Sequence, residues 1–65
     1  MITVNGKNLD GYDGKAVSEL ITALGYKPEH IAAEINGEIV KRAQLPSTAL
    51  ADGDKVEIVC FVGGG

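Results

Sequence analysis

Alternation of hydrophobic and polar residues in the first forty residues predicts two β-hairpins. Ile2-Thr3-Val4-Asn5 alternates and runs into Asn5-Gly6, a pair that favours the two-residue type I′ turn because both central residues adopt positive φ. A weaker strand over 7–12 is expected to return from this turn. The stretch 30–40 alternates in the same way around Asn36-Gly37 and predicts the second hairpin.

A last strand is predicted over 55–62, after a turn at Asp52-Gly53-Asp54. Period-two alternation divides this strand into two faces. The apolar face predicted to be buried carries Val56, Ile58, Cys60 and Val62. Cys60 is therefore interpreted as a core thiol, because a buried free cysteine behaves as a small hydrophobic residue. The opposite face carries Lys55, Glu57, Val59 and Phe61.

One helix is predicted between the hairpins, because Val17, Leu20, Ile21 and Leu24 recur at i, i+3, i+4 and i+7. Gly25 stands at the position of a left-handed residue that ends a helix, and Pro28 prevents its continuation. The start of the helix is less complete. Glu19 occupies the acidic position of a capping box, whereas the cap position holds Ala16.

These elements predict an α+β fold, with one helix packed on one face of a sheet of four to five strands. Residues 1–62 are expected to form a single domain, followed by a flexible C-terminal tail at 63–65. The 65-residue chain holds one cysteine, so hydrophobic packing must replace disulfides. Leu45 and Leu50 are predicted to plug the core around Pro46. The predicted core consists of Leu20, Ile21, Leu24, Ile35, Val56 and Ile58.

Charge and composition argue against several classes of function. The net charge is −3 and three residues are aromatic, which is unfavourable for binding a nucleic-acid backbone or stacked bases. The longest apolar run, 58–62, is far too short to cross a bilayer, and the first residues have no pattern of a signal peptide. The sequence therefore predicts a cytoplasmic protein with no nucleic-acid or membrane partner.

Chemistry performed by this chain alone is not expected. His30 lies in a polar loop with no second ligand, so neither a zinc site nor any other metal site is predicted. Asp52-Gly53-Asp54 lacks the remaining ligands of a calcium loop and is interpreted as a turn. No nucleophile triad or phosphate-binding loop is present. Function is therefore expected at a surface or a terminus.

The last three residues, Gly63, Gly64 and Gly65, directly follow the last strand. Glycines without Cβ atoms pass through a narrow channel and reach about 10 Å when extended, so they could deliver a carboxylate into the active site of another protein. Condensation with ATP would turn that carboxylate into an acyl-adenylate open to a sulfur or nitrogen nucleophile. The alternative is a frayed end without function.

The whole chain resembles the ubiquitin-like β-grasp sulfur carriers, most closely the ThiS family of thiazole biosynthesis. The matching segments are Ile2-Thr3-Val4-Asn5-Gly6, Val17-x-x-Leu20-Ile21, Ile35-Asn36-Gly37-Glu38-Ile39-Val40, Leu50-x-Asp52-Gly53-Asp54-x-Val56-Glu57-Ile58 and Phe61-Val62-Gly63-Gly64-Gly65. Molybdopterin-synthase small subunits share the terminal Gly-Gly and the turn before the last strand. The chain departs from the ThiS pattern at Ala16, where a Thr cap is frequent, and at Cys60.

The resemblance implies a mixed β-grasp sheet whose first and last strands are parallel at its centre. It also implies that the chain is a protein substrate and not an enzyme, with no bound cofactor of its own. A ThiF-type adenylyltransferase, using ATP and Mg²⁺, would adenylate Gly65. A persulfide donor, such as a cysteine desulfurase, would convert it to a thiocarboxylate, whose sulfur thiazole synthase (ThiG) would take. Gly64 and Gly63 would give access to the partner's active site.

Three alternatives stay open at this point. The chain could carry sulfur for molybdopterin, cysteine or methionine synthesis, it could be a ubiquitin-like protein modifier, or it could be a small binding domain with an idle tail. Under the first two, partners need a docking surface beside the tail. Val59, Phe61 and Val62 are the candidate docking residues, because they are apolar and lie at the end of the last strand.

Overall fold

The computed structural model describes residues 1–61, in which five strands form one sheet. The strands are β1 (Ile2–Val4), β2 (Lys7–Leu9), β3 (Ile31–Ile35), β4 (Glu38–Val40) and β5 (Lys55–Cys60). The helix α1 (Val17–Ala23) lies between β2 and β3, and two short 3₁₀ turns span Pro28–His30 and Arg42–Gln44. The predicted elements are all present in the predicted order.

The strand order across the sheet is β2-β1-β5-β3-β4. β1 and β5 are parallel neighbours, with Val4 beside Val56, whereas the other neighbouring pairs are antiparallel. β5 therefore lies at the centre of a mixed sheet, between the first and second hairpins. This arrangement confirms the β-grasp fold that the resemblance implied.

Both Asn-Gly turns have the backbone that the sequence predicted. Asn5 and Gly6 have φ of 49° and 83°, and Asn36 and Gly37 have φ of 53° and 86°. These positive angles close two-residue hairpins of type I′ geometry. The strand that returns from the first turn is shorter than the predicted 7–12. It ends at Leu9, because the chain bends at Gly11, which has a φ of 90°.

The helix starts without a side-chain cap, as the sequence predicted. The Ala16 N–H donates to Glu19 Oε2 at 3.1 Å, which is the acidic half of a capping box. The first amides of the helix find acceptors elsewhere, since the N–H groups of Val17 and Ser18 donate to the carbonyls of Thr48 and Leu45. The loop around Pro46 thus replaces the missing cap.

The core lies between α1 and one face of the sheet. Leu20, Ile21, Val56 and Ile58 are buried there as predicted, and Leu45 and Leu50 plug its side with 2% exposure each. The complete core consists of Ile2, Val4, Val17, Leu20, Ile21, Ile31, Ala33, Leu45, Leu50, Val56 and Ile58.

Two residues of the predicted core are not fully buried. Leu24 is 40% exposed, because the helix ends at Ala23 and Leu24 lies at its C-cap, at an open groove beside β1 and β2. Ile35 is half-buried and packs against the core from the end of β3. Gly25 follows the helix as the predicted left-handed residue, and its φ of 85° allows the amides of Gly25 and Tyr26 to donate to the carbonyls of Thr22 and Ile21.

Candidate functional site

The C-terminal end of β5 is the part of the described chain nearest the glycine tail. β3 holds this end on one side, with Val59 beside Ala32 and the Phe61 N–H donating to the His30 carbonyl at 2.7 Å. His30 itself is exposed, as predicted for a loop histidine. The end of β5 is thus anchored on the β3 side up to Phe61.

Val59 and Phe61 lie on the outer face of the sheet, the face opposite α1. They are 58% and 57% exposed, whereas Val56 and Ile58, of opposite parity, are buried beneath the helix. The prediction that the strand's second face is open next to the tail is therefore confirmed for these two residues. Their role in partner docking stays a prediction.

The outer face becomes acidic one row further from the tail. Glu34 on β3 lies directly opposite Glu57 on β5, and Ile39 on β4 lies opposite Glu34 with 71% of its surface exposed. Lys55 Nζ reaches Glu57 Oε1 only at 4.0 Å. An apolar end beside the tail and a negative row behind it make this face suited to a protein surface that is apolar and basic.

The interpretation of Cys60 as a core thiol is wrong, since Cys60 is exposed. Its parity matches that of Val56 and Ile58, but the cover of that face stops earlier. β1 ends at Val4, opposite Val56, and within residues 1–61 no strand flanks Cys60 on that side. Cys60 consequently lies at an open corner of the sheet.

The remaining predicted site residues, Val62, Gly63, Gly64 and Gly65, lie outside the described residues. Their predicted roles as docking residue, access residues and reactive end stay predictions. Among residues 1–61, no three His, Cys, Asp or Glu side chains come together as metal ligands would. In the same part of the chain, no helix has the length and hydropathy needed to span a membrane.

Two groups with shifted pKa values lie at the end of the sheet opposite the tail. The Met1 ammonium donates to Asp52 Oδ1 at 2.6 Å and to Asp13 Oδ1 at 3.3 Å. The hydrogen bond to Asp52 raises the pKa of the ammonium above its ordinary value and lowers the pKa of the Asp52 carboxyl. This ion pair fastens β1 to the turn before β5 and is remote from the candidate docking face.

Sequence reasoning missed one residue of this region, Asn5. It was identified only as a turn residue, but its side-chain amide forms two hydrogen bonds with the backbone of Ile58 in β5. An asparagine at a type I′ turn gives no signal of such a bond, because the turn geometry alone accounts for it.

Comparison with known proteins places these features in a family. The model of the ThiS family matches residues 2–65. A crystal structure of the thiamine biosynthesis protein ThiS from Geobacter metallireducens superimposes with a TM-score of 0.78 at 42% identity, covering 98% of this chain and 97% of that one. The match therefore extends over sequence and fold together.

The chain is similar to relatives of two different lengths. The sulfur carrier protein ThiS of Thermus thermophilus is 31% identical over 65 residues, which is the full length of both chains. A thiazole synthase of Paramagnetospirillum magneticum is 38% identical over 64 residues, and the chain spans only 20% of that protein's length. A second thiazole synthase, from Magnetococcus marinus, is 34% identical over the same share. With its family model matched nearly from end to end, the chain belongs to the ThiS family.

Proposed function

We propose that this chain carries sulfur for thiazole formation in thiamin biosynthesis, as a thiocarboxylate on Gly65, in the cytoplasm. The observation that carries the proposal is the family match over residues 2–65, because it includes the three glycines as well as the folded domain. The full-length similarity to a ThiS protein named as a sulfur carrier supports it.

The proposed chemistry takes place in partner proteins. In a ThiF-type adenylyltransferase, which uses ATP and Mg²⁺, the Gly65 carboxylate attacks the α-phosphorus of ATP and releases pyrophosphate. A persulfide from a cysteine desulfurase or related donor then displaces AMP. A thiol cleaves the resulting acyl disulfide, leaving the thiocarboxylate and a new disulfide. This chain contributes an end that fits a narrow channel, since Gly63 and Gly64 carry no side chain.

The end of the outer face beside the tail is the proposed docking surface for these partners. Val59 and Phe61 are exposed beside the tail, and an aromatic side chain near the centre of an interface often contributes much of the binding energy. Glu34 and Glu57 border them, so we propose that the partner surface is apolar at its centre and basic on one side. Val62 is included in the surface from its sequence position.

The similarity to two thiazole synthases favours thiazole as the destination of the sulfur. Both proteins contain a stretch similar to this chain within a much longer chain. We therefore propose thiazole synthase as the acceptor, in preference to the enzymes of molybdopterin, cysteine or methionine synthesis.

Intact-mass measurement tests the proposal directly. The full chain is incubated with ATP, Mg²⁺, a ThiF-type enzyme and a persulfide source, beside a variant that lacks Gly65. We expect the mass of the full chain to rise by the difference between sulfur and oxygen, and the mass of the variant to stay unchanged. An unmodified full chain would argue for an idle tail, whereas Gly-Gly remnants on lysines of other proteins would show a protein modifier.

A further inference from the structure

Each of the two Asn-Gly turns fastens its asparagine side chain to β5, at different points along the strand. Asn36 Oδ1 accepts from the Lys55 N–H at 3.0 Å, at the beginning of β5, and Asn36 Nδ2 donates to Asp54 Oδ1 at 3.0 Å. Asn5 Oδ1 accepts from the Ile58 N–H at 2.8 Å, and Asn5 Nδ2 donates to the Ile58 carbonyl at 3.2 Å. Only the second contact lies toward the tail.

The Asn5 amide takes the place of a peptide group that β1 lacks. Along the parallel pair, the Thr3 N–H donates to the Asp54 carbonyl and the Asn5 N–H to the Val56 carbonyl. The next backbone groups of β5 on this side belong to Ile58, but the main chain has already turned away at Asn5. The side-chain amide, with one donor and one acceptor directed at Ile58, extends the ladder by one further residue.

Nothing in residues 1–61 continues the ladder beyond this point. Phe61 and Val59 direct their backbone groups toward β3, as the bond from the Phe61 N–H to the His30 carbonyl shows. Those of Cys60 therefore face the same open side as Ile58, and Cys60 is exposed. Ile58 is thus the last described residue of β5 that is hydrogen-bonded on the β1 side, and beyond it the strand is held by β3 alone.

We infer that Asn5 is a positioning residue for the reaction at Gly65, an inference that rests on the proposed sulfur-carrier function. Gly65 is the seventh residue after Ile58, so a chain of this length can span at most roughly 25 Å. Without the Asn5 amide, the end of β5 is held by β3 alone and the direction in which the tail leaves the sheet is less fixed. A displacement of about 1 Å at reacting atoms can lower a rate about a hundredfold.

The experiment compares Asn5→Gly with Asn36→Gly in the full chain. Glycine retains the positive φ of each turn, so both variants lose only the side-chain amide. With a ThiF-type adenylyltransferase, ATP and Mg²⁺, pyrophosphate release is measured against carrier concentration. We expect Asn5→Gly to lower kcat about tenfold or more, with a smaller change in KM, and Asn36→Gly to leave kcat within about twofold of the unaltered chain. Amide exchange of Ile58 should accelerate in Asn5→Gly only.

Denaturant unfolding of both variants separates positioning from stability. Equal losses of stability with unequal kcat values support the inference, and equal kcat values for the two folded variants overturn it. Should Asn5→Gly fail to fold, Asn5→Asp retains the acceptor for the Ile58 N–H and is compared in its place. If the unaltered chain releases no pyrophosphate, the proposed function fails and this inference fails with it.

Discussion

Two leucines one turn apart, one in α1 and one at its C-cap, provide the sharpest test of where the core ends. Leu20 is 0% exposed and lies within the buried cluster, whereas Leu24 is 40% exposed at the C-cap. Both occupy the apolar stripe of the helix, so the sequence pattern alone predicts equal costs for replacing them with alanine. The structure predicts unequal costs.

The expected magnitudes follow from burial. Leu20→Ala removes a side chain that is closed in on all sides, and such replacements cost about 2–5 kcal/mol because a cavity adds to the lost transfer free energy. Leu24→Ala leaves a gap open to solvent, so only part of a leucine's transfer free energy is lost, about 1 kcal/mol. A single core in a domain of this size supplies roughly 3–5 kcal/mol. Leu20→Ala should therefore leave much of the chain unfolded at 25 °C.

Urea unfolding followed by far-ultraviolet circular dichroism measures both free energies, with the slope of the transition as a check that the compared states are the same. We expect Leu24→Ala to keep a cooperative transition shifted modestly to lower urea. We expect Leu20→Ala to have a transition that is lost or starts without added urea. Equal shifts for the two variants would refute the reasoning that exposure at the helix end governs the cost.

Three further predictions concern the tail, the outer face and the ion pair at the far end. Deleting Gly65, or replacing Gly64 by Val, should abolish thiocarboxylate formation by mass and leave the urea transition of the domain unchanged; formation at the unaltered rate would contradict the proposed function. Phe61→Ala should weaken binding to the adenylyltransferase by more than about 1 kcal/mol in calorimetry, whereas Ile39→Ala, an exposed apolar control at the distant edge of the same face, should not. The folded-state pKa of Asp52 is lowered, so the stability from its ion pair should be lost as the pH falls through that pKa. The folded-state pKa of the N-terminal ammonium is raised, so the same stability should be lost as the pH rises through that higher pKa. Asp52→Asn should flatten both flanks of the unfolding free energy plotted against pH, and an unchanged plot would show that the pair contributes nothing.

Local chemistry made the hairpins and the helix predictable from the sequence. An Asn-Gly pair between alternating residues specifies its turn almost alone, and both turns have the required positive φ. The termination of α1 is equally predictable, because it depends on the left-handed residue Gly25 next to the helix. The order of the strands in the sheet could not be predicted in this way, because alternation shows which side chains share a face but not which strands are neighbours. The parallel pairing of the first and last strands at the centre of the sheet was implied by the resemblance to β-grasp proteins.

The predictions of burial at Cys60 and Leu24 are wrong, because burial depends on where the surrounding helix and strands end. Periodicity assigns Cys60 to the face of Ile58 and Leu24 to the stripe of Leu20. Both are exposed, because Cys60 is the last residue of β5 and Leu24 lies at the C-cap of the helix. The compensation for the missing cap at Ala16 could not be predicted either, since the acceptors for the first helical amides come from a loop about thirty residues later. Contacts between distant parts of the chain carry no short-range signal.

The two ends of β5 show how a small core coexists with an exposed strand end beside the proposed site of sulfur transfer. At its beginning the strand is held on both sides, and Val56 between β1 and β3 is completely buried. Toward the tail, support on the β1 side is reduced to the Asn5 amide at Ile58 and is absent at Cys60 within the described chain. The hydrophobic free energy of β5 is thus concentrated at Val56 and Ile58, and the exposed residues 59–61 contribute little to it. Because of this separation, substitutions that alter docking or delivery need not unfold the domain, and rates can be compared between folded variants.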